Sequence, residues 1–490
     1  MPPVKRKLGQ TVDIDFTLRK VFNKDTFRPV QRDVIIAAIE GQDVFLQAAT
    51  SFGKSLCFQL PAVIDHGITI VISPLLALMN NQLASMQRAG IRVATINSTT
   101  PITVKNAIIN DLKSGHPQTR LLYVTPEYCK LDHFRKCLHV VYEQCELARI
   151  AIDEAHCISE WGHDFRPSFK ELDYFKKNFP DVPMICCTAT ATEAVRQDII
   201  QTLALDRSKL KYVAMTTHRP NLHYEIRFKS DEEDHYDDFL NWLRAVYKRR
   251  KYDAKRSQEL AAKGMRFDNV PGIIYTLFRK DTEVLAARLR SDGIGAKAYH
   301  AGLTIEQKED HLAGWVANKE GYDIIVATTA FGMGIDKENV RFVVHWQIPK
   351  SFEGFYQEAG RAGRDGKAAC CILYYSREDR DRAAQMMARE VERQGGLNGC
   401  SKVREAVTNR AKSLQSLIAY CENVSACRHR LIAEYFGDKT LPKCEWACDF
   451  CKDAASGGGA LGKRKEKYLA SEEWCATQRQ AGVYGYDDYD

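Results

Sequence analysis

Short, nearly continuous apolar runs recur through the first half of the chain, at Val44–Leu46, Ile68–Ile72, Leu121–Val124, Ile150–Ile152 and Met184–Cys187. Each is followed by a loop of small or polar residues, and helical patterns fill the intervals. Runs of this kind predict parallel strands buried on both faces, hence an α/β domain. The pattern pauses at about residue 212 and resumes with Gly272–Tyr275, Ala296–Tyr299, Ile324–Ala327, Phe342–His345 and Ala368–Tyr374. A second α/β domain follows, joined to the first near residues 213–225. A polar, charged insertion around 248–270 is predicted as a helix running into a loop.

From residue 400 the pattern becomes helical and then cysteine-rich. Beyond Cys451 the chain turns to Ala-Ala-Ser-Gly-Gly-Gly, a basic Lys463–Lys467 patch and a Tyr/Asp tail. The expected division is a disordered start at 1–14, α/β domains at 15–212 and 213–398, a small module at 399–455, and a mostly disordered tail at 456–490.

Composition narrows the class. A chain of 490 residues that is 45% apolar and 27% charged has the material for two or three soluble domains. No stretch approaches the roughly 18 apolar residues of a membrane span. The opening Met-Pro-Pro-Val-Lys-Arg-Lys has no apolar core behind it, so a secretory signal is not expected and the protein is read as intracellular. The net charge of +7 permits a polyanionic partner. Lys248, Arg249, Arg250, Lys251, Lys255 and Arg256 stand against Asp253 alone, as a solvated loop or a phosphate-contacting one. The sixteen cysteines of a reducing compartment do not read as a disulfide framework; Cys186, Cys187, Cys370 and Cys371 read as small core residues.

The chemistry begins at Gly53-Lys54-Ser55, which follows the strand Val44–Leu46 and opens a helical run. Backbone N–H groups and a helix N-terminus there suit phosphates, with Lys54 reaching the β/γ-phosphates and the Ser55 hydroxyl ligating magnesium. Asp153-Glu154-Ala155-His156 follows directly on the strand Ile150–Ile152. Asp153 at the strand's end suits magnesium, and Glu154 the positioning of an attacking water. In the second domain, Gln357-Glu358-Ala359-Gly360-Arg361-Ala362-Gly363-Arg364 places two arginines three apart, on one face if helical. Such arginines can reach across a cleft to the transferring phosphate. Asp336 and the Gly332–Gly334 segment, after another apolar strand, favour that reading. ATP is expected between the two domains.

Cys444, Cys448 and Cys451 form a C-x3-C-x2-C cluster, with Cys427 upstream; four thiolates at these spacings suit a structural tetrahedral zinc. Cys400 and Cys421 are competing candidates that fit the spacing less well.

Together these motifs, in order from about Phe27 to Cys451, resemble the RecQ family of helicases. Phe27-Arg28-Pro29-x-Gln31 resembles the family's adenine-recognition segment, with Gln31 reading the base. Ser73-Pro74-Leu75 and Tyr123-Val124-Thr125-Pro126-Glu127 resemble its strand-gripping motifs, and Thr188-Ala189-Thr190-Ala191 its coupling motif. The run Trp161-Gly162-His163-Asp164-Phe165-Arg166-Pro167 matches the family's aromatic-rich loop, where Trp161 and Phe165 offer stacking faces and Arg166 a charge for phosphate. Cys427-Arg428 and Tyr435-Phe436-Gly437 match its zinc module.

The resemblance implies two tandem RecA-like parallel-sheet domains and a small helical zinc-binding subdomain. It implies ATP, Mg2+ and Zn2+ as cofactors, with ATP contacts from Arg28, Gln31, Thr50, Ser51, Phe52, Gly53, Lys54, Ser55, Asp336 and Gln357. DNA contacts are implied for Ser73, Pro74, Thr125, Glu127, His156, Trp161, His163, Phe165 and Arg166. Catalysis falls to Lys54, Asp153, Glu154, Arg361 and Arg364, and the metals to Cys427, Cys444, Cys448 and Cys451 (zinc) and Ser55 and Asp153 (magnesium).

The chain departs from the family's Thr-Gly-Gly-Gly-Lys-Ser phosphate loop at Thr50-Ser51-Phe52-Gly53-Lys54-Ser55, where lost glycines are expected to crowd the phosphates and slow turnover. Lys24 stands where many relatives have an aromatic residue. The residues after Cys451 are too few and too polar for a winged-helix domain, so a short form or a truncated chain is expected. The implied function is an ATP-dependent DNA helicase moving 3′ to 5′ on single strands, in repair or recombination, in the nucleus. An RNA-directed helicase and a nucleotide-regulated strand-binding or annealing module are the alternatives.

Overall fold

The computed structural model describes residues 13–469 apart from 51, 160–165, 231–233, 263, 267, 333–334, 336, 394–400 and 446. Among the described residues the strands form two sheets. The first contains β1 (Val44–Gln47), β2 (Ile68–Ile72), β3 (Val93–Ile96), β4 (Leu121–Val124), β5 (Leu147–Ile152), β6 (Met184–Thr188) and β7 (Lys211–Ala214), in the spatial order β3-β4-β2-β5-β6-β1-β7. The second contains β8 (Leu222–Phe228), β9 (Gly272–Tyr275), β10 (Ala296–Tyr299), β11 (Ile324–Ala327), β12 (Phe342–His345) and β13 (Ala369–Tyr375), in the order β10-β11-β9-β12-β13-β8. Neighbouring strands run parallel throughout. Helices cover both faces, as parallel crossovers require. The chemistry therefore gathers at the strands' C-terminal ends, where the crossover loops emerge.

The expected strands are present, and three more join them. β7 and β8 occupy the stretch read as a plain connector, so the first sheet extends to Ala214 before the chain crosses over. The insertion after β8 forms helices Tyr236–Tyr252 and Ala254–Ala262. The basic 248–256 segment thus lies on the end of one helix and the start of the next, not in a loop.

The C-terminal module shares the second domain's core. Leu414, Leu417, Tyr420, Ile432 and Phe436 are buried in one cluster with Tyr224, Phe352 and Phe355. A disordered tail from 456 does not hold over its first part, because Ala460–Leu469 is a helix. Its start is capped by the Asp453 carboxylate, which accepts from the backbone N–H of Ala460 and Leu461 at 3.2 and 3.1 Å. Leu461 and Leu469 are buried in the same core, and Lys465 donates to the Glu422 carbonyl at 2.7 Å.

Candidate nucleotide cleft, strand-contact surface and zinc centre

The loop between β1 and helix Leu56–Ile64 is pinned from outside by one amide. Gln31 Nε2 donates to the carbonyls of Phe52 (3.0 Å) and Gly53 (3.2 Å), while its Oε1 accepts from the Arg28 N–H (2.9 Å). Gly53 is left-handed (φ 85°), and a Cβ there would stand 2.9 Å from Gln31 Nε2, so glycine is needed for this approach. Gln31, expected to read the base, here braces the phosphate loop. Phe52 is buried within an apolar cluster of the first domain. Ser51 lies outside the described residues. Lys54 Nζ rests on the loop itself, donating to the carbonyls of Ala48 (3.0 Å) and Ala49 (3.4 Å).

Asp153 emerges from the end of β5, buried, with its N–H bonded to the Ile72 carbonyl at 2.9 Å. Burial raises its pKa, against the opposing charge of Lys54 and the N–H of Glu154. Gln82, unmarked in the sequence, bridges the two expected magnesium ligands: its Nε2 donates to Ser55 Oγ at 3.2 Å and to Asp153 Oδ2 at 3.5 Å. Gln59 continues the network, donating to Gln82 Oε1 (3.4 Å) and to the Tyr123 hydroxyl (3.1 Å). Glu154 adopts a left-handed backbone (φ 52°), a strained conformation for a non-glycine residue at an expected catalytic position.

His156, expected to touch DNA, is fully buried. Its Nδ1 lies 3.0 Å from Thr188 Oγ1 and 3.4 Å from Glu154 Oε2. The Thr188 carbonyl in turn accepts from the Ala48 N–H at 3.1 Å. Residues 153–156, the coupling segment and the root of the phosphate loop are thus joined by consecutive contacts.

The second domain contributes the turn after helix Phe352–Ala359. A shared helical face for Arg361 and Arg364 does not hold. The helix stops at Ala359, and Gly360 and left-handed Gly363 (φ 55°) carry the chain into a turn. Arg361 is buried and its Nε has no hydrogen-bond partner among the described residues. Arg364 is half-buried. A Cβ on Gly360 would stand 3.6 Å from Thr50 Oγ1, so this turn lies against the phosphate loop. Gln357 is half-buried on the preceding helix, and Asp336 lies outside the described residues.

Two further residues missed by the sequence reading hold the turn. Arg219 donates to the carbonyls of Ala362 (3.0 Å) and Gly363 (2.9 Å), and Asn221 Nδ2 to that of Gly363 (2.9 Å). Both lie just before β8, where no motif marks them.

The expected strand contacts gather at one end of the first sheet. Arg166 Nη1 donates to the Pro74 carbonyl at 3.0 Å. Glu127 Oε1 accepts from Ser168 Oγ at 2.7 Å. Burial would raise the Glu127 pKa, but this bond, the local N–H groups and Thr125, and the Arg166 charge bring it below the usual value. Thr125 caps the short helix Pro126–Cys129, and Ser73 is buried. Trp161, His163 and Phe165 lie outside the described residues.

The Sγ atoms of Cys427, Cys444, Cys448 and Cys451 all lie within 4.8 Å of one another. Cys448 Sγ is 3.7 Å from that of Cys444 and 3.9 Å from that of Cys427. Four sulfurs about 2.3 Å from one tetrahedral zinc stand roughly 3.8 Å apart, so the donor set fits the ion. Buried Arg428 pairs with Asp449 at 2.8 Å, and Asp449 Oδ2 accepts from the Ile226 N–H at 3.0 Å, fastening the module to β8. Cys421 is buried in helix Ser401–Glu422 and is not one of the four; Cys400 lies outside the described residues.

Comparison with known proteins agrees with this arrangement. Residues 28–199 match the DEAD/DEAH box helicase family, 258–366 the helicase conserved C-terminal domain and 377–452 the RecQ zinc-binding domain. The chain is 38% identical to ATP-dependent DNA helicase Q5 of Rattus norvegicus, over 94% of this chain and 45% of that protein. It is 37% identical to ATP-dependent helicase SGS1 of Saccharomyces cerevisiae, over 91% of this chain and 28% of that protein. It is also 37% identical to ATP-dependent DNA helicase Q1 of Rattus norvegicus, over 89% of this chain and 64% of that protein. The chain thus spans from under a third to just under two thirds of these relatives' lengths.

Among solved structures, the DUF1998 helicase MrfA bound to DNA is similar with a TM-score of 0.57 at 16% identity, over 76% of this chain and 52% of that one. The DEAD-box helicase Mss116 bound to single-stranded RNA gives 0.53 at 15%, over 93% of this chain and 97% of that one. At such identities these two likenesses establish the fold alone. Three successive family matches, with the four-cysteine cluster in the last, show that this chain belongs to the RecQ family of helicases.

Proposed function

We propose that the protein is an ATP-dependent DNA helicase that translocates 3′ to 5′ on single-stranded DNA and separates duplexes, in DNA repair or recombination in the nucleus. The observation that carries this reading is the approach of Gly360 to Thr50, which brings the Arg361 turn of one domain against the phosphate loop of the other. A nucleotide bound there would touch both domains, so its hydrolysis would change their separation and their grip on a strand.

In this reading Lys54 leaves the Ala48 and Ala49 carbonyls for the β/γ-phosphates, and Ser55 and Asp153 hold Mg2+, which neutralises phosphate charge when bound. Glu154 orients the attacking water, and its contact with His156 links that water to Thr188 and the coupling segment. Arg361 and Arg364 offset charge on the transferring phosphoryl group. Arg166, tied to Pro74, belongs to the strand-gripping surface with Thr125 and Glu127. The zinc held by Cys427, Cys444, Cys448 and Cys451 is structural, because four protein ligands leave no open position.

The test is ATP hydrolysis by the purified chain titrated with single-stranded DNA, with Lys54→Ala as the control. A large DNA-dependent rise abolished in the variant supports the motor. Strand displacement from duplexes with 3′ or 5′ overhangs then reads polarity. DNA binding without hydrolysis would overturn the reading in favour of a strand-binding module, and stimulation by RNA in preference to DNA would redirect it to RNA.

A further inference from the structure

At the end of the first sheet opposite the phosphate loop, three loops converge. His66 lies between helix Leu56–Ile64 and β2, His116 in the turn before β4, and Glu146 immediately before β5. Their ligating atoms all lie within 4.8 Å of one another. His66 Nε2 stands 2.8 Å and His116 Nδ1 3.5 Å from the same carboxylate oxygen, Glu146 Oε1. We propose that His66, His116 and Glu146 form a metal site separate from the cysteine cluster, taking Zn2+ or a similar borderline divalent ion.

Three observations carry this. First, Glu146 is buried, its side chain only 3% exposed, and while Oε1 faces both imidazoles the second oxygen, Oε2, has no hydrogen-bond partner among the described residues and is available to share an ion in bidentate fashion. A buried carboxylate oxygen left in this state is costly unless something cationic meets it. Second, an ordinary ion pair accounts for one imidazole on Glu146 but gives no reason for a second to approach the same oxygen. Third, the spacing suits coordination. Donors about 2.0–2.2 Å from one ion stand roughly 3.0–3.5 Å apart at octahedral to tetrahedral angles, and the observed 2.8 and 3.5 Å need only small side-chain adjustments.

Two imidazoles and one carboxylate select zinc and its transition-metal neighbours over magnesium or calcium, which favour all-oxygen shells. The carboxylate is fixed by its backbone, since the Glu146 carbonyl accepts from the Ile68 N–H at 2.7 Å. The imidazole side chains are 47% and 77% exposed, so no packed neighbour has to move for those adjustments. Arg120 donates to the Asp65 carbonyl at 2.6 Å and Arg149 to its carboxylate at 2.5 Å, and neither makes an ion pair with Glu146 among the described residues. With three protein ligands the ion would keep a water. Its effect would be to pin three crossover loops, including the far end of the helix that begins at the phosphate loop.

The test uses the full chain without a histidine tag, loaded with Zn2+ or Co2+ and dialysed. Metal analysis should find one more equivalent in the parent than in His66→Ala/His116→Ala, with the thiolate-bound metal and the ATPase rate unchanged. Because both histidines are exposed, the double variant should fold. Cobalt makes the two sites distinguishable: sulfur ligation gives intense charge-transfer bands, whereas the N/O site gives only weak visible bands, which should vanish in the double variant and in Glu146→Gln. Added Zn2+ should raise the melting temperature of the parent and not of the variant. Equal metal content in parent and double variant, or weak bands that survive both substitutions, would overturn the proposal.

Discussion

Arg196 Nη1 donates to the Phe436 carbonyl at 3.3 Å, joining the first α/β domain to the zinc module across 240 residues of sequence. The same nitrogen also donates to Gln47 Oε1 at 3.0 Å and to the Ala191 carbonyl at 3.1 Å. One buried guanidinium thus meets the end of β1, the coupling segment and the C-terminal module. Next to it, Asp438 accepts from the Thr217 N–H at 2.7 Å, so the module holds the interdomain crossing as well.

Arg196→Ala would leave several buried acceptors without a donor, at a cost of about 3 kcal/mol. The expected outcome is a lower melting temperature together with weaker DNA stimulation of ATP hydrolysis. Arg196→Lys, which keeps the charge but not the fork, should recover stability only in part. Unchanged melting in Arg196→Ala would show that these acceptors find other donors.

Gln82 would act on the proposed magnesium ligands without being one. Its amide orients Ser55 Oγ and Asp153 Oδ2, and partners of this kind are worth about 10-fold in activity or metal affinity. Gln82→Ala should lower kcat by about that factor and raise the Mg2+ concentration needed for half-maximal rate, with the KM for DNA little altered. A variant whose Mg2+ titration matches the parent's would remove Gln82 from this role.

His235 is expected to make the second domain sensitive to acid. Its ring packs 4.0 Å from that of Trp346 and 4.5 Å from that of Tyr374, centroid to centroid. Burial, helped by the charge of Lys229, pushes its pKa down to about 3. The unfolded chain binds this proton near pH 6.5 and the folded one does not, so stability is fully present above pH 6.5 and lost as pH falls towards 3. By pH 5 the loss amounts to about 2 kcal/mol. Denaturant melts at pH 7.5 and 5 should show this fall, and His235→Phe should flatten it. A variant with the parent's pH dependence would assign the acid sensitivity to another group.

What the sequence revealed mostly follows burial, with the edge strand β10, buried only at Ala296 and still recognised, as the exception. Strands β1, β2, β4, β6, β9, β11 and β12 are buried at every position, and each is legible as an apolar run. The strands it did not reveal, β3, β7 and β8, are all edge strands with incomplete or alternating burial. One exposed face dilutes the hydrophobic signal that double-sided burial concentrates. The cluster of four cysteines was legible from local spacing, and local motifs likewise marked Lys54 and Asp153 as candidates. Gln82, Arg196 and Arg219 were not, because each acts through contacts 27 to 240 residues distant that only the tertiary fold creates.

Arg361 brings these threads to one measurable point. Its backbone is set by a turn that Arg219 and Asn221 hold from beneath, its side chain is buried, and its Nε has no hydrogen-bond partner among the described residues. A buried guanidinium that faces Tyr275 and still has an unpartnered Nε beside the phosphate loop is positioned to meet a phosphate oxygen. Arg361→Ala should therefore lower kcat by about 1,000-fold while nucleotide affinity stays close to the parent's, because the interaction strengthens as charge develops on the transferred group. Arg361→Lys should recover a minor part of the rate, since an ammonium restores charge but not the planar fork. The discriminating measurement is nucleotide affinity beside single-turnover hydrolysis. If affinity falls in step with the rate, Arg361 is a ground-state contact, and the closing of the two domains on the nucleotide has to be attributed to Arg364 and its neighbours instead.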